Sequence, residues 1–147
     1  MSMVNAHVDI SQGLDGESVV LACFDLGEEE LAASSHAVAA ASSERFRTAE
    51  LSTDDVLEMR ELTALADELA DLALRPGLRT VVLRPARLTV YRDAVSRFIE
   101  TRDEAEWIRE GDREPLSIVR GLLASLEALC GDALRAALAG PPATHQA

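Results

Sequence analysis

Arginine carries all of the fixed positive charge in this chain. All fourteen basic residues are arginine and lysine is absent, which removes Schiff-base catalysis, a P-loop lysine and lysine acid–base work. Six of them, Arg75, Arg79, Arg84, Arg87, Arg92 and Arg97, fall in a stretch whose single acid is Asp93. The sharpest part is Thr80-Val81-Val82-Leu83-Arg84-Pro85-Ala86-Arg87-Leu88: an apolar, strand-like run, then two arginines around a proline where a helix should begin. Positive charge at a helix start opposes the helix dipole. Either an anion is received there by backbone N–H groups and guanidinium forks, or carboxylates from elsewhere neutralise the site. No glycine-rich loop precedes the helix and acids are plentiful, so internal or intersubunit ion pairs are the first reading. A partner's acidic patch and a small anionic ligand are the alternatives. Arg79, Arg84, Arg87 and Arg92 are the residues that would make the contact.

Other reactive side chains form no recognisable constellation. Ser34-Ser35-His36 and Ser42-Ser43 are the only Ser/His clusters, and neighbours on a helix point in different directions, so no catalytic triad follows from them. His7, His36 and His145 are dispersed, and the two cysteines, Cys23 and Cys130, match no zinc-ligand spacing. Two cysteines in a chain of this kind are expected to be reduced, buried and unpaired. The paired acids Asp54/Asp55 and Glu28 to Glu30 read as charges at helix starts rather than as a glycosidase-like pair. The expectation is therefore no catalytic residues, no metal and no cofactor.

The chain has 147 residues, enough for one domain with a substantial core. Its hydrophobic share of 48% is that of a globular protein, but aromatics make up only 3%, so the core must be built from Leu, Val and Ala. A net charge of −12 repels phosphate backbones and anionic membranes, which argues against nucleic acid or a membrane as partner. No apolar run reaches bilayer length and the N-terminus lacks a basic stretch followed by an apolar one. A cytoplasmic location is the expectation.

The pattern of apolar residues predicts the order β-β-α-α-β-α-α. Val4, Ala6, Val8 and Ile10 alternate as one face of a strand, Gly13 to Gly16 supplies a turn, and Ser18–Leu26 is a second strand. Glu28-Glu29-Glu30 opens an alanine-rich helix running to about Phe46. Ser52 or Thr53 caps the next, whose stripe is Met59, Leu62, Leu65, Leu69 and Leu72. A short strand from about Arg79 to Leu83 precedes a helix with Pro85 as its first residue. Gly111-Asp112 suggests a break, Pro115 starts the last helix, and Gly140-Pro141-Pro142 ends it. The fold class is α+β and predominantly helical: an N-terminal hairpin and a third short strand in a small antiparallel sheet, covered by about four helices. Residues 1–140 form a single domain, and 141–147 are a flexible tail.

Between Glu100 and Glu114 the charges alternate in sign, and Arg102 to Glu106 has helical i,i+4 spacing, as on a solvated helix face. Trp107 lies inside this segment. Packing back onto the core is the first reading for its ring, and anchoring an interface the second. The last helix carries a long stripe that includes Leu116, Val119, Leu123 and Leu126, more than short strands would cover, so these residues are candidates for an interface. Together these features point to a non-enzymatic acidic interaction or regulatory protein acting as a homo-oligomer. An anion-binding module at Arg84 and Arg87 is the alternative, and an enzyme whose residues meet only in three dimensions is the third.

Overall fold

A computed structural model describes residues 3–48 and 52–139. The elements follow the expected order: β1 (Val4–Gln12), β2 (Ser18–Leu26), α1 (Glu28–Thr48), α2 (Thr53–Ala73), β3 (Arg79–Leu83), α3 (Pro85–Glu104) and α4 (Glu110–Ala139). The three strands form one antiparallel sheet in the order β1-β2-β3. Residues 141–147, expected to be a flexible tail, lie outside the described residues. No helix among the described residues is long and apolar enough to cross a membrane.

Local sequence explains most boundaries. Gly16, at φ 82°, closes the hairpin in a conformation that a side chain would disfavour. Ser52 caps α2 in a reciprocal box with Asp55: its hydroxyl accepts from the Asp55 N–H and the Asp55 carboxylate accepts from the Ser52 N–H. Pro85 occupies the first turn of α3, where its missing N–H has no intrahelical partner to lose. Two features differ from expectation. The break between α3 and α4 falls at residues 105–109 rather than at Gly111-Asp112, so Pro115 sits inside α4. Glu110 and Asp112 in the first turn favour the earlier start through the helix dipole. In β1 the register shifts between Val4 and His7, interrupting the expected single apolar face, and Val4 and Ile10 are exposed.

The helices cover one face of the sheet. Ala22, Phe24 and Leu26 of β2 are wholly buried there, beside Val81 and Leu83 of β3. Leu31, Ala37 and Val38 of α1, Leu65 and Leu69 of α2, and Leu88, Tyr91, Val95 and Phe98 of α3 complete the layer with α4. Alanine at 33, 37 and 41 keeps α1 thin on its buried side, and α1 touches α2, α3 and α4. Cys23 and Cys130 are both buried and free, as expected.

At the centre of the layer, the Tyr91 and Ser34 hydroxyls share a hydrogen bond of 2.5 Å, and both residues are fully buried. Burial pushes the Tyr91 phenol well above its ordinary value, although the Ser34 hydrogen bond works in the opposite direction. The folded state therefore keeps this proton at a pH where unfolded tyrosine loses it. Stability should fall as pH rises above about 10. Tyr91→Phe should remove that alkaline fall and, by leaving Ser34 without its partner, cost about 2 kcal/mol at neutral pH. Urea unfolding at pH 7 and pH 10.5 checks both effects. Equal alkaline slopes in the two proteins would refute the assignment.

Candidate functional site

The arginines near the start of α3 do not converge. Arg87 reaches α2, where its Nη2 donates to Glu61 Oε2 at 2.8 Å and its Nη1 to Glu68 Oε2 at 3.4 Å. Arg92 pairs with its neighbour Asp93. Arg84 is the N-cap of α3 without a side-chain capping bond, and it makes no ion pair among the described residues. The Nε of Arg79 is buried and has no hydrogen-bond partner among the described residues. Arg87 and Arg92 are thus each neutralised by different carboxylates.

The interface candidates on α4 are placed differently from expectation. Leu116, Val119 and Leu126 are buried in the chain's own core, and Leu123 packs partly buried against it. The stripe is covered because α4 lies against α1, α3, β1 and β2 at once. Only its far end, Leu134 and Leu138, is exposed. Trp107 has the opposite correction. The residue is 71% exposed instead of packing on the core, because the segment that carries it is the non-helical link between α3 and α4.

That link borders a groove of about 620 Å³ where α1, α3 and α4 come together. Arg102, in the last turn of α3, is the hub. Its Nη1 donates to Glu44 of α1 at 2.5 Å and its Nε to Asp112 of α4 at 3.2 Å. Its guanidinium lies 4.2 Å from the centre of the Phe98 ring. The expected Arg102–Glu106 pair is therefore replaced by longer-range partners, since α3 ends at Glu104 before the i,i+4 neighbour is reached. His36 of α1 bonds Asp112 through Nε2 at 2.7 Å and meets Phe98 edge-on, at 5.7 Å between ring centres. Burial pushes the Asp112 carboxyl up, but hydrogen bonds from His36 and Arg102 and the Arg102 charge outweigh it and hold it below its ordinary value.

A histidine bonded to a buried carboxylate resembles an acid–base dyad, but no nucleophile accompanies it among the described residues. Among the described residues His36 bonds no hydroxyl or thiol. Ser43 lines the same groove, yet it stands about 10 Å further along α1, beyond reach. Ser34 is held by Tyr91, and the Ser35 hydroxyl donates to the Ala66 carbonyl at 2.8 Å. What the groove does offer is a recognition surface. Arg47 and Arg109, which form no ion pair among the described residues, stand on its wall with Glu106 and the exposed Trp107.

Donors with metal-ligand chemistry meet elsewhere. His7, Asp9 and Cys23 lie together with their donor atoms within 4.8 Å of one another. The sequence spacing gave no metal site, because these residues are joined by strand pairing and not by a local motif. Burial and the neighbouring Asp9 push the Cys23 thiol up, so it is not an activated nucleophile.

His36, Glu44, Arg102 and Asp112 were not singled out by sequence as a group. The only available signal was Arg102 and Asp112 ten residues apart, and it becomes meaningful once the helix break between them is placed. No protein-family model, curated protein or solved structure matches the chain.

Asp112→Asn should test the hub. It leaves Arg102 with a weaker partner in a half-buried position and should cost about 3 kcal/mol at pH 7. Because the Asp112 pKa is lowered in the folded state, its contribution is present above the ordinary carboxylate range and is lost as pH falls through it. Unfolding measured at pH 7 and pH 3 should show a smaller acid destabilisation in the variant than in the wild type.

Proposed function

We propose that the protein acts by non-covalent association rather than catalysis, as a homo-oligomeric interaction or regulatory protein whose contact surface is the rim of the α1–α3–α4 groove. The observation that carries this reading is Trp107, the single tryptophan of the chain, 71% exposed beside Arg109 and Glu106. Tryptophan and arginine are the side chains most enriched where binding energy concentrates. Covering such a ring contributes roughly 3 kcal/mol. Both charge signs are present on the rim, so a second copy related by a two-fold axis can set Arg109 of each protomer against Glu106 of the other. Beneath the groove, Arg102 ties α3 to α1 and α4.

A second reading rests on Arg47 and Arg109, whose guanidinium groups have no carboxylate partner among the described residues. They would receive a small anion in the groove. This relocates the anion-binding alternative from the start of α3, where Glu61 and Glu68 already hold Arg87.

Sedimentation and tryptophan emission across protein concentration separate the two. Association predicts a dimer at tens of micromolar with emission shifted to the blue, and a monomer for Trp107→Ala. A wild-type monomer with water-like emission at every concentration would refute it. The anion reading then predicts that inorganic phosphate stabilises the wild type by about 2.7 kcal/mol at a hundredfold excess over Kd, and Arg109→Ala much less.

A further inference from the structure

His7 is paired across the hairpin with Cys23, and Asp9 is the next residue on the same face of β1. This is the outer face of the sheet, opposite the helices: His7 and Asp9 are exposed there, and Cys23 is buried beside them. The separations suit one metal ion. His7 Nε2 lies 3.4 Å from Asp9 Oδ2, and Cys23 Sγ lies 3.7 Å from the same oxygen. Around a tetrahedral zinc with ordinary bond lengths, the corresponding N···O and S···O edges are about 3.3 and 3.5 Å. Two of the three edges are therefore already close to those of a bound ion, and all three donor atoms lie within 4.8 Å of one another.

The backbone behind them supplies the supporting contact. Asn5 adopts φ 55° at the register shift between Val4 and His7, and its carbonyl lies 2.7 Å from His7 Nδ1. A carbonyl can only accept, so Nδ1 holds the proton and Nε2 turns its remaining position toward the Asp9 carboxylate. A neutral imidazole in this tautomer would set two lone pairs against each other at 3.4 Å, an arrangement that a cation between them relieves. Asp25 is not available as a further ligand: it accepts from Asn5 Nδ2 at 2.8 Å and from the Thr80 hydroxyl at 2.6 Å. Those two bonds instead brace the bulge from the neighbouring strands.

We propose that His7, Asp9 and Cys23 bind one zinc-class divalent cation, with its fourth position open to water. An imidazole and a thiolate select zinc over magnesium or calcium. Binding transfers the Cys23 thiol proton to solvent as the metal–sulfur bond forms. The His7 and Asp9 side chains are 53% and 61% exposed, so the ion has a direct path in and its open position faces water. This site is independent of the groove and of Trp107.

Cobalt(II) is the probe, added to the intact chain kept reduced with a phosphine. The wild type should take one equivalent and show the sulfur-to-cobalt charge-transfer band together with the intense visible bands of a four-coordinate ion, and zinc should bleach both. Cys130→Ala should behave as wild type. Cys23→Ser should lose the charge-transfer band. His7→Ala and Asp9→Asn should each weaken binding by more than about tenfold, the lower end of what losing an outer-shell partner costs. Circular dichroism confirms that each variant is folded, and the exposed His7 and Asp9 make their variants informative if Cys23→Ser is not. A six-coordinate spectrum without the charge-transfer band would overturn the proposal. Equal affinity in the wild type, His7→Ala and Asp9→Asn would overturn it as well, leaving His7–Asp9 as a protonated ion pair.

Discussion

Among the described residues the four helices lie on one side of the three-stranded sheet, and much of the architecture follows from that arrangement. β2 is paired on both sides, and its Ala22, Phe24 and Leu26 are wholly buried. α3 and α4 lie against this narrow strip, and α1 and α2 pack onto the helices. Alanine on the buried side of α1 lets α2, α3 and α4 approach it closely, with few aromatic rings to fill the space. The Tyr91–Ser34 pair satisfies two hydroxyls at the centre of this layer. Polar chemistry is consequently displaced to two places, the uncovered sheet face and the open end of the helix layer.

Charge is organised by the same geometry. A chain with a net charge of −12 places several of its arginines between helices. Arg45 links α1 to Asp55 and Glu58 of α2, Arg87 links α3 to Glu61 and Glu68 of α2, and Arg102 links α3 to both α1 and α4. Arg45 and Arg87 each neutralise two acids of α2, and Arg102 separates Glu44 of α1 from Asp112 of α4. The guanidinium fork serves two acids at once, which a lysine ammonium does with less geometric definition. Arg102 gains further from stacking on Phe98, which excludes water from one side of its ion pairs.

The element order and antiparallel sheet were legible because hydrophobic period, capping residues and the Pro85 start agree with one another. Long-range matters were not. The stripe on α4 is amphipathic whether its cover is a second copy or the chain's own α1 and α3, and periodicity alone does not say which. The α3–α4 break was misplaced by a few residues, because Gly111 and Pro115 are stronger sequence punctuation than Ala105 to Arg109. That shift hid the Arg102–Asp112 contact and left Trp107 on the wrong side of the surface. His7 and Cys23 are sixteen positions apart, and only the hairpin register makes them neighbours.

The kink at Asn5 has a meaning for the solubility of the folded chain. β1 is an edge strand with exposed side chains on both faces, including Val4 and Ile10, and such edges recruit strands from other molecules. A bulge near one end interrupts the ladder that an incoming strand would need to extend, and it increases the local twist. His7 and Asp9 add charge-bearing groups beside the interruption. The irregularity that aims a carbonyl at an imidazole therefore also blunts the edge, confining growth of the sheet to its three native strands.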